Sequence, residues 1–180
     1  MELTKAKLRA EEIKTKLTPF CKTGKCEVAG SVRRGNKPDV HDIDLVCIPI
    51  SQAFYLAMNQ LGKVSGGPKN YRVELPIISQ GKAFTADIYI ATEATWATLL
   101  LIRTGSANHN KRLCTLARSK GMKLHADGSG LSRLMVMSRL MTEESALFVA
   151  PDGERPIPCT TETDIFAALG LPYRAPAERE

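Results

Sequence analysis

Gly30-Ser31-Val32-Arg33-Arg34-Gly35, followed by Asp42-Ile43-Asp44-Leu45-Val46-Cys47-Ile48-Pro49, is the stretch on which the reading of this chain turns. The second segment alternates as a strand does. Asp42 and Asp44 therefore leave one face, and Val46 and Ile48 carry that face into the interior. Two carboxylates at the mouth of a core repel each other. Without a cation one is pushed toward protonation, whereas a divalent ion turns the repulsion into binding. Asp87 is the one acid in a second apolar stretch, Phe84 to Ile90, and an adjacent strand there brings it beside the pair. Oxygen ligands with no nearby histidine pair or cysteine cluster favour magnesium or manganese over zinc. Taken alone, Asp-x-Asp reads more simply as strand-end acids or partners of arginines.

The segment just before it changes that balance. A glycine at a strand-to-helix junction lets backbone approach a ligand, and the following serine hydroxyl, free amides and arginine are donors for phosphate. Metal carboxylates beside a phosphate cradle describe phosphoryl transfer from a metal-nucleotide complex. Neighbouring helical residues differ in direction by roughly 100°, so only one of Arg33 and Arg34 faces the phosphates easily. The expectation is that Arg34 does so, while Arg33 pairs with Glu162, which opens a helix in the other half of the chain. The competing reading is two solvated arginines.

Working outward, Leu3, Ala6, Ala10, Ile13 and Leu17 recur at helical spacing with lysines and arginines between them. Cys26 to Gly30 and Asp42 to Pro49 read as strands, Ser51 to Leu61 as a helix, and Gly62 to Asn70 as a turn or loop. Tyr71 to Ile78 and Ala83 to Ile90 read as strands joined at Gln80-Gly81. Thr92 to Arg103 is an apolar helix, Ser106 to Lys120 a basic one ended by Gly121, and Glu162 to Leu169 a short one closed by Gly170. Shorter segments lie at Met122 to His125, at Ala146 to Val149 and at the turn Asp152-Gly153. The fold class expected is α+β: a mixed β-sheet with helices over residues 1–95, and a smaller α/β subdomain over 96–180, with a cleft between them.

With 180 residues and 43% apolar content the chain can bury a real core, which excludes a disordered tail and a disulfide-stapled miniprotein. A net charge of +6 suits a polyanionic partner without requiring one. The longest apolar run, Trp96 to Ile102, falls short of the ~20 residues a membrane span needs. Cys21, Cys26, Cys47, Cys114 and Cys159 are odd in number with no C-x-x-C pair, so they read as space-filling thiols in a reducing compartment. The expectation is a soluble, cytoplasmic protein with no membrane partner. His41, His109 and His125 are too dispersed for a metal cluster; His41 is a candidate neighbour of a nucleotide, and the others read as structural or surface residues.

Four motifs in this order, the Gly30 to Gly35 turn, Asp42-x-Asp44, Asp87, and Thr104-Gly105-Ser106 with Asn110 beyond it, resemble the catalytic core of family X DNA polymerases, the DNA polymerase beta-like nucleotidyltransferases. The tail, Glu162 to Phe166 and Leu171 to Arg174 through to Arg179, is similar as well. The likeness runs from about residue 26 to the end. It implies a nucleotidyltransferase palm over 1–95 and a nascent-base-pair-binding subdomain over 96–180. By resemblance, Asp42 and Asp44 would hold two magnesium ions, with manganese able to substitute. Asp87 would hold the ion that activates the primer 3′ hydroxyl. Gly30, Ser31 and Arg34 would bind the outer phosphates, with His41 nearby. Ile102, Arg103, Thr104 and Gly105 would line the sugar through a cis-peptide turn, and Asn110 would reach the incoming base. Lys111, Arg112 and Cys114 would meet the nucleic acid.

Two departures stand out. Ile102-Arg103 occupies the place of the usual Tyr-Phe, which points to weaker rejection of ribonucleotides. Cys114 stands where an arginine commonly touches the template, which points to a tolerant enzyme. About 25 residues precede the first motif, too few for a lyase domain or helix-hairpin-helix modules, so the resemblance is to a reduced polymerase. The expectation is a monomeric, template-directed DNA polymerase using dNTPs, and rNTPs in part, on primer-template or gapped DNA in short-gap repair. The alternatives are an untemplated nucleotidyltransferase acting on RNA or a small molecule, and a catalytically silent nucleic-acid-binding module.

Overall fold

The computed structural model describes residues 1–76, 84–135 and 153–180. The amino-terminal helix α1 (Leu3–Leu17) buries Ala6, Ala10, Ile13 and Leu17, the stripe its spacing predicts. A five-stranded sheet follows: β1 (Cys21–Val28), β2 (Asp42–Pro49), β3 (Lys63–Gly67), β4 (Asn70–Leu75) and β5 (Phe84–Ile90), in the order β1-β2-β5-β4-β3. β2 and β5 are parallel and every other neighbouring pair is antiparallel, so the sheet is mixed. The short helix α2 (Gly30–Arg34) leaves the end of β1, and α3 (Ala53–Asn59) begins the crossover from β2.

The two faces of β2 have different fates. Ile43, Leu45 and Cys47 join α1 and α3 in one core, with Phe54, Met58 and Ile88. Val46, from the opposite face, packs with Ala29, Tyr89, Trp96 and Leu100 under α4 (Trp96–Thr104). The same helix turns Ala97, Leu101 and Ile102 into another core, built with α5 (Ala107–Ser119) and α6 (Glu162–Ala168). An apolar helix buried on nearly every side thus joins the sheet to the carboxyl-terminal half. That half carries a three-stranded antiparallel sheet, β6 (Met122–Leu124), β7 (Leu131–Met135) and β8 (Gly153–Ile157).

Three readings of the sequence change. Lys63–Gly67 lies within the expected loop yet is a strand, because pairing with β4 across Pro68-Lys69 uses backbone groups and asks nothing of the Gly- and Ser-rich side chains. β1 begins at Cys21, not Cys26, its Lys22, Thr23 and Gly24 exposed at a sheet edge. The apolar helix begins at Trp96, after a turn in which the Thr92 amide donates to Thr95 Oγ1 at 2.9 Å. The Gln80-Gly81 joint, Ile78, Ala83, the Ala146 to Val149 segment and Asp152 lie outside the described residues, although β4 and β5 are antiparallel as the joint requires. No helix among the described residues is long and apolar enough to cross a membrane.

Candidate active site

The β2–β5 register sets Asp44 directly opposite Asp87, and the β4–β5 register sets Asp87 opposite Arg72. Partners on adjacent strands share a face, so Asp44, Asp87 and Arg72 form one row. Asp42, two residues before Asp44, stands on the same side opposite Thr85. The sheet thus brings Asp87, distant in the chain, to the face that carries Asp42 and Asp44.

Gly30 explains how Asp44 fits. Its φ is +61°, and a Cβ there would lie 1.8 Å from Asp44 Oδ2, so only glycine admits both the left-handed turn and the carboxylate against it. Burial, then the charges of Asp42 and Asp87, push the Asp44 carboxyl up to about 7; Arg103 and Arg34 pull the other way. Crowded, buried carboxylates raise one another's affinity for a proton in this way. Oxygen donors with a surplus of negative charge fit magnesium or manganese, so the residues suit the metal that the resemblance implies.

The trio is aligned but not gathered around one point. Among the described residues, the one group of three ligating side chains whose donor atoms all lie within 4.8 Å of one another is Cys21, Cys26 and Cys47. Asp87 is engaged elsewhere: Arg72 Nε donates to its Oδ1 and Arg72 Nη2 to its Oδ2, both at 2.8 Å. Sequence reading missed Arg72, because an exposed polar residue of an alternating strand gives no sign of what stands across from it until the register is known.

The arginine pair divides its work partly as expected. Arg33 makes a two-pronged ion pair with Glu162, at 2.9 and 2.8 Å, and also donates to Thr104 Oγ1 at 2.7 Å. Glu162 receives a third bond, from fully buried Arg179, at 2.7 Å. Burial raises the Glu162 carboxyl, but the two guanidiniums outweigh it and hold it below the usual range. Arg34 Nη1, expected to face phosphates, donates instead to the Thr104 carbonyl. Both arginines therefore grip the Thr104-Gly105-Ser106 turn, whose Gly105–Ser106 peptide is cis. Ser31 is half-buried on α2, and His41 is exposed just before Asp42.

The residues beyond that turn are also placed. Ile102 is packed in the carboxyl-terminal core, and its carbonyl accepts a 2.8 Å bond from Asn110 Nδ2. The Ile102 side chain therefore belongs to that core. Arg103 stacks its guanidinium 4.2 Å from the centre of the Tyr89 ring, on the acidic side. Lys111 and Cys114 line a groove of about 990 Å³ with Arg118, Lys123 and His125. Cys114 Sγ donates to the Leu124 carbonyl at 3.4 Å, and Arg112 turns to the carbonyl of Glu180 at the end of the tail.

Residues 99–180 match the DNA polymerase beta thumb family. A curated relative, rat (Rattus norvegicus) DNA polymerase lambda, is 38% identical over 94 residues. The resemblance to family X DNA polymerases stands. That alignment covers 52% of this chain but 15% of the relative, so the likeness to the curated family X protein is to a small part of its length. Two crystal structures of Leishmania infantum polymerase beta, a ternary P/T complex and a ternary gap complex, superpose on the whole chain with a TM-score of 0.73. The identities are 22% and 21%, and the superpositions take in 76% and 70% of those chains. At that identity they speak for the fold alone, an α+β arrangement with a mixed sheet.

Proposed function

We propose that the chain is a magnesium-dependent nucleotidyltransferase that adds deoxynucleoside monophosphates to the 3′ end of a DNA primer under the direction of a template. The observation carrying this is the row of Asp44 beside Asp87, with Asp42 two residues away and Gly30 at van der Waals range of the Asp44 carboxylate. The thumb match over residues 99–180 supports DNA as the acceptor.

In this reading Asp42, Asp44 and Asp87 hold two magnesium ions, which when bound neutralise charge on the triphosphate and on the departing pyrophosphate. Ser31, and Arg34 once it leaves the Thr104 carbonyl, donate to the outer phosphates. Asp87, once it leaves Arg72, takes the proton of the primer 3′ hydroxyl as that oxygen attacks the α-phosphorus and the bond to pyrophosphate breaks. Asn110 orients the incoming base, and the basic groove at Lys111, Arg118 and Lys123 holds the nucleic-acid backbone. With Ile102 withdrawn into the core, the sugar meets the Thr104 to Ser106 turn, and ribonucleotides enter at a measurable rate. The natural task in this reading is the filling of short gaps in DNA.

Primer extension on gapped and recessed DNA, with each template base in turn and each dNTP and rNTP alone, tests this. Insertion that follows the template letter supports the proposal. Insertion indifferent to it makes the chain an untemplated transferase, and binding without insertion makes it a nucleic-acid-binding module.

A further inference from the structure

Three of the five cysteines converge on the face of the palm sheet opposite the carboxylates. Cys26 and Cys47 are direct cross-strand partners, and their sulfurs stand 3.5 Å apart. Cys21 is five residues before Cys26, a spacing that in a regular strand points the other way. The β1–β2 register slips between the two, where Gly24 takes a φ of +69°, and Cys21 comes to rest opposite Pro49. Pro49 and Cys47 share a face of β2, so all three sulfurs meet, each within 4.8 Å of the others. They are free thiols, 6%, 4% and 0% exposed, against the core built under α1.

We infer that Cys21, Cys26 and Cys47 form a binding site for a single soft, thiophilic metal ion, copper(I), distinct from the carboxylate site. A metal–sulfur bond of about 2.3 Å sets three sulfurs in a plane about 4.0 Å apart. The Cys26–Cys47 separation is 3.5 Å and neither sulfur lies more than 4.8 Å from that of Cys21, so the ion enters with sub-ångström adjustment of side chains. Copper(I) accepts thiolates alone, whereas a structural zinc site asks for a fourth ligand that the trio does not supply. On binding, the three S–H protons leave to solvent and three S–metal bonds form, with no change of oxidation state. The surroundings favour the first of these losses: hydrogen bonds from the Cys21 and Cys47 thiols, Thr18, and the charge of Lys14 push the Cys26 thiol down. The contact with Cys26, and burial, push the Cys21 thiol up to about 12 against an opposing contact with Cys47, and contacts with Cys21 and Cys26 push the Cys47 thiol up. β1 is a sheet edge, and Cys21 at its start is the most exposed of the three.

The test uses the full chain, reduced and desalted under argon. It is offered one equivalent of copper(I) as its acetonitrile complex or, in a second arm, zinc(II). Metal retained per chain is then read by intact-complex mass spectrometry against a competing chelator. The expected result is one copper per chain, with a sulfur-only, three-coordinate X-ray absorption signature, unaffected by Cys114→Ser and Cys159→Ser. Cys26→Ser and Cys21→Ser should weaken retention by more than the roughly 10–100-fold that an outer hydrogen-bond partner is worth. Cys21→Ser, at the sheet edge, serves where a change at enclosed Cys47 disturbs folding. The inference is overturned if copper is not retained or is retained equally by Cys26→Ser. It is equally overturned if zinc is held more tightly through the same residues, or if the isolated chain carries a Cys26–Cys47 disulfide in place of metal.

Discussion

Arg72 on β4 and Asp87 on β5 face each other across the sheet, joined by two parallel guanidinium–carboxylate bonds of 2.8 Å. The acid is 6% exposed and the arginine 56%, so the pair is a surface clamp over a buried carboxylate. Under the proposed reaction the same two oxygens are needed for magnesium and for the primer hydroxyl, so Arg72 and the ion compete for Asp87. Arg72→Gln should lower the magnesium concentration at half-maximal incorporation by roughly two- to five-fold, the range of exposed ion pairs. An unchanged or higher requirement in a magnesium titration would assign Arg72 another task.

The contact between Gly30 and Asp44 makes a second expectation. In Gly30→Ala the added methyl would fall 1.8 Å from Asp44 Oδ2, at a φ of +61° that disfavours any side chain by about 1–2 kcal/mol. The carboxylate has to move, and a misplacement of about 1 Å costs roughly 100-fold in rate. Single-turnover incorporation should fall by about that factor while the far-ultraviolet spectrum stays that of the folded chain. Normal turnover by Gly30→Ala would mean that the Asp44 position is not critical.

Arg33, Glu162 and Arg179 join α2 to α6 and to the tail in one buried cluster. Removing one member leaves a buried charge unpaired, at about 3–5 kcal/mol. In urea unfolding, Arg33→Ala and Glu162→Ala should each destabilise strongly. The double variant should show a coupling of at least about 1 kcal/mol. Additive losses would mean that the bidentate pair contributes nothing of its own.

His109 is 3% exposed beside Phe166, and neither ring nitrogen has a hydrogen-bond partner among the described residues. Burial, then the charge of Arg179, with those of Arg174 and Arg112, push the imidazole from 6.5 down to about 4, and the neighbouring Asn110 amide opposes them only in part. The unfolded chain therefore binds a proton between these values that the folded one refuses. His109 contributes full stability above pH 6.5, loses it as pH falls to about 4, and adds no further slope below that. His109→Phe should flatten the pH dependence of the urea midpoint across this window; an unaltered profile would place the titration elsewhere.

The parts legible in the sequence were those whose side-chain spacing and backbone agree. The stripe of α1, the alternation of β2 and the Gly30 turn needed no partner to be read. The expected Arg33–Glu162 pair rested on the divergence of adjacent helical residues and on Glu162 opening a helix in the other half of the chain. Arg72 and β3 were hidden for a common reason: each is defined by what pairs with it across the sheet. Cys21 was hidden by the slip at Gly24, which reverses the face that its odd spacing predicts. Arg34 stood further from expectation, since its bond to the Thr104 carbonyl depends on a turn seventy residues away.

Single-nucleotide incorporation into gapped DNA, by the wild-type chain and by Asp87→Ala in magnesium, tests the central claim most directly, with DNA affinity measured alongside. The account predicts template-matched insertion by the wild type and a loss of at least roughly 1,000-fold in the variant, with DNA binding retained, as befits a group acting on the reacting atoms. Insertion by Asp87→Ala at the wild-type rate, or none by the wild type on DNA that it binds, would contradict it.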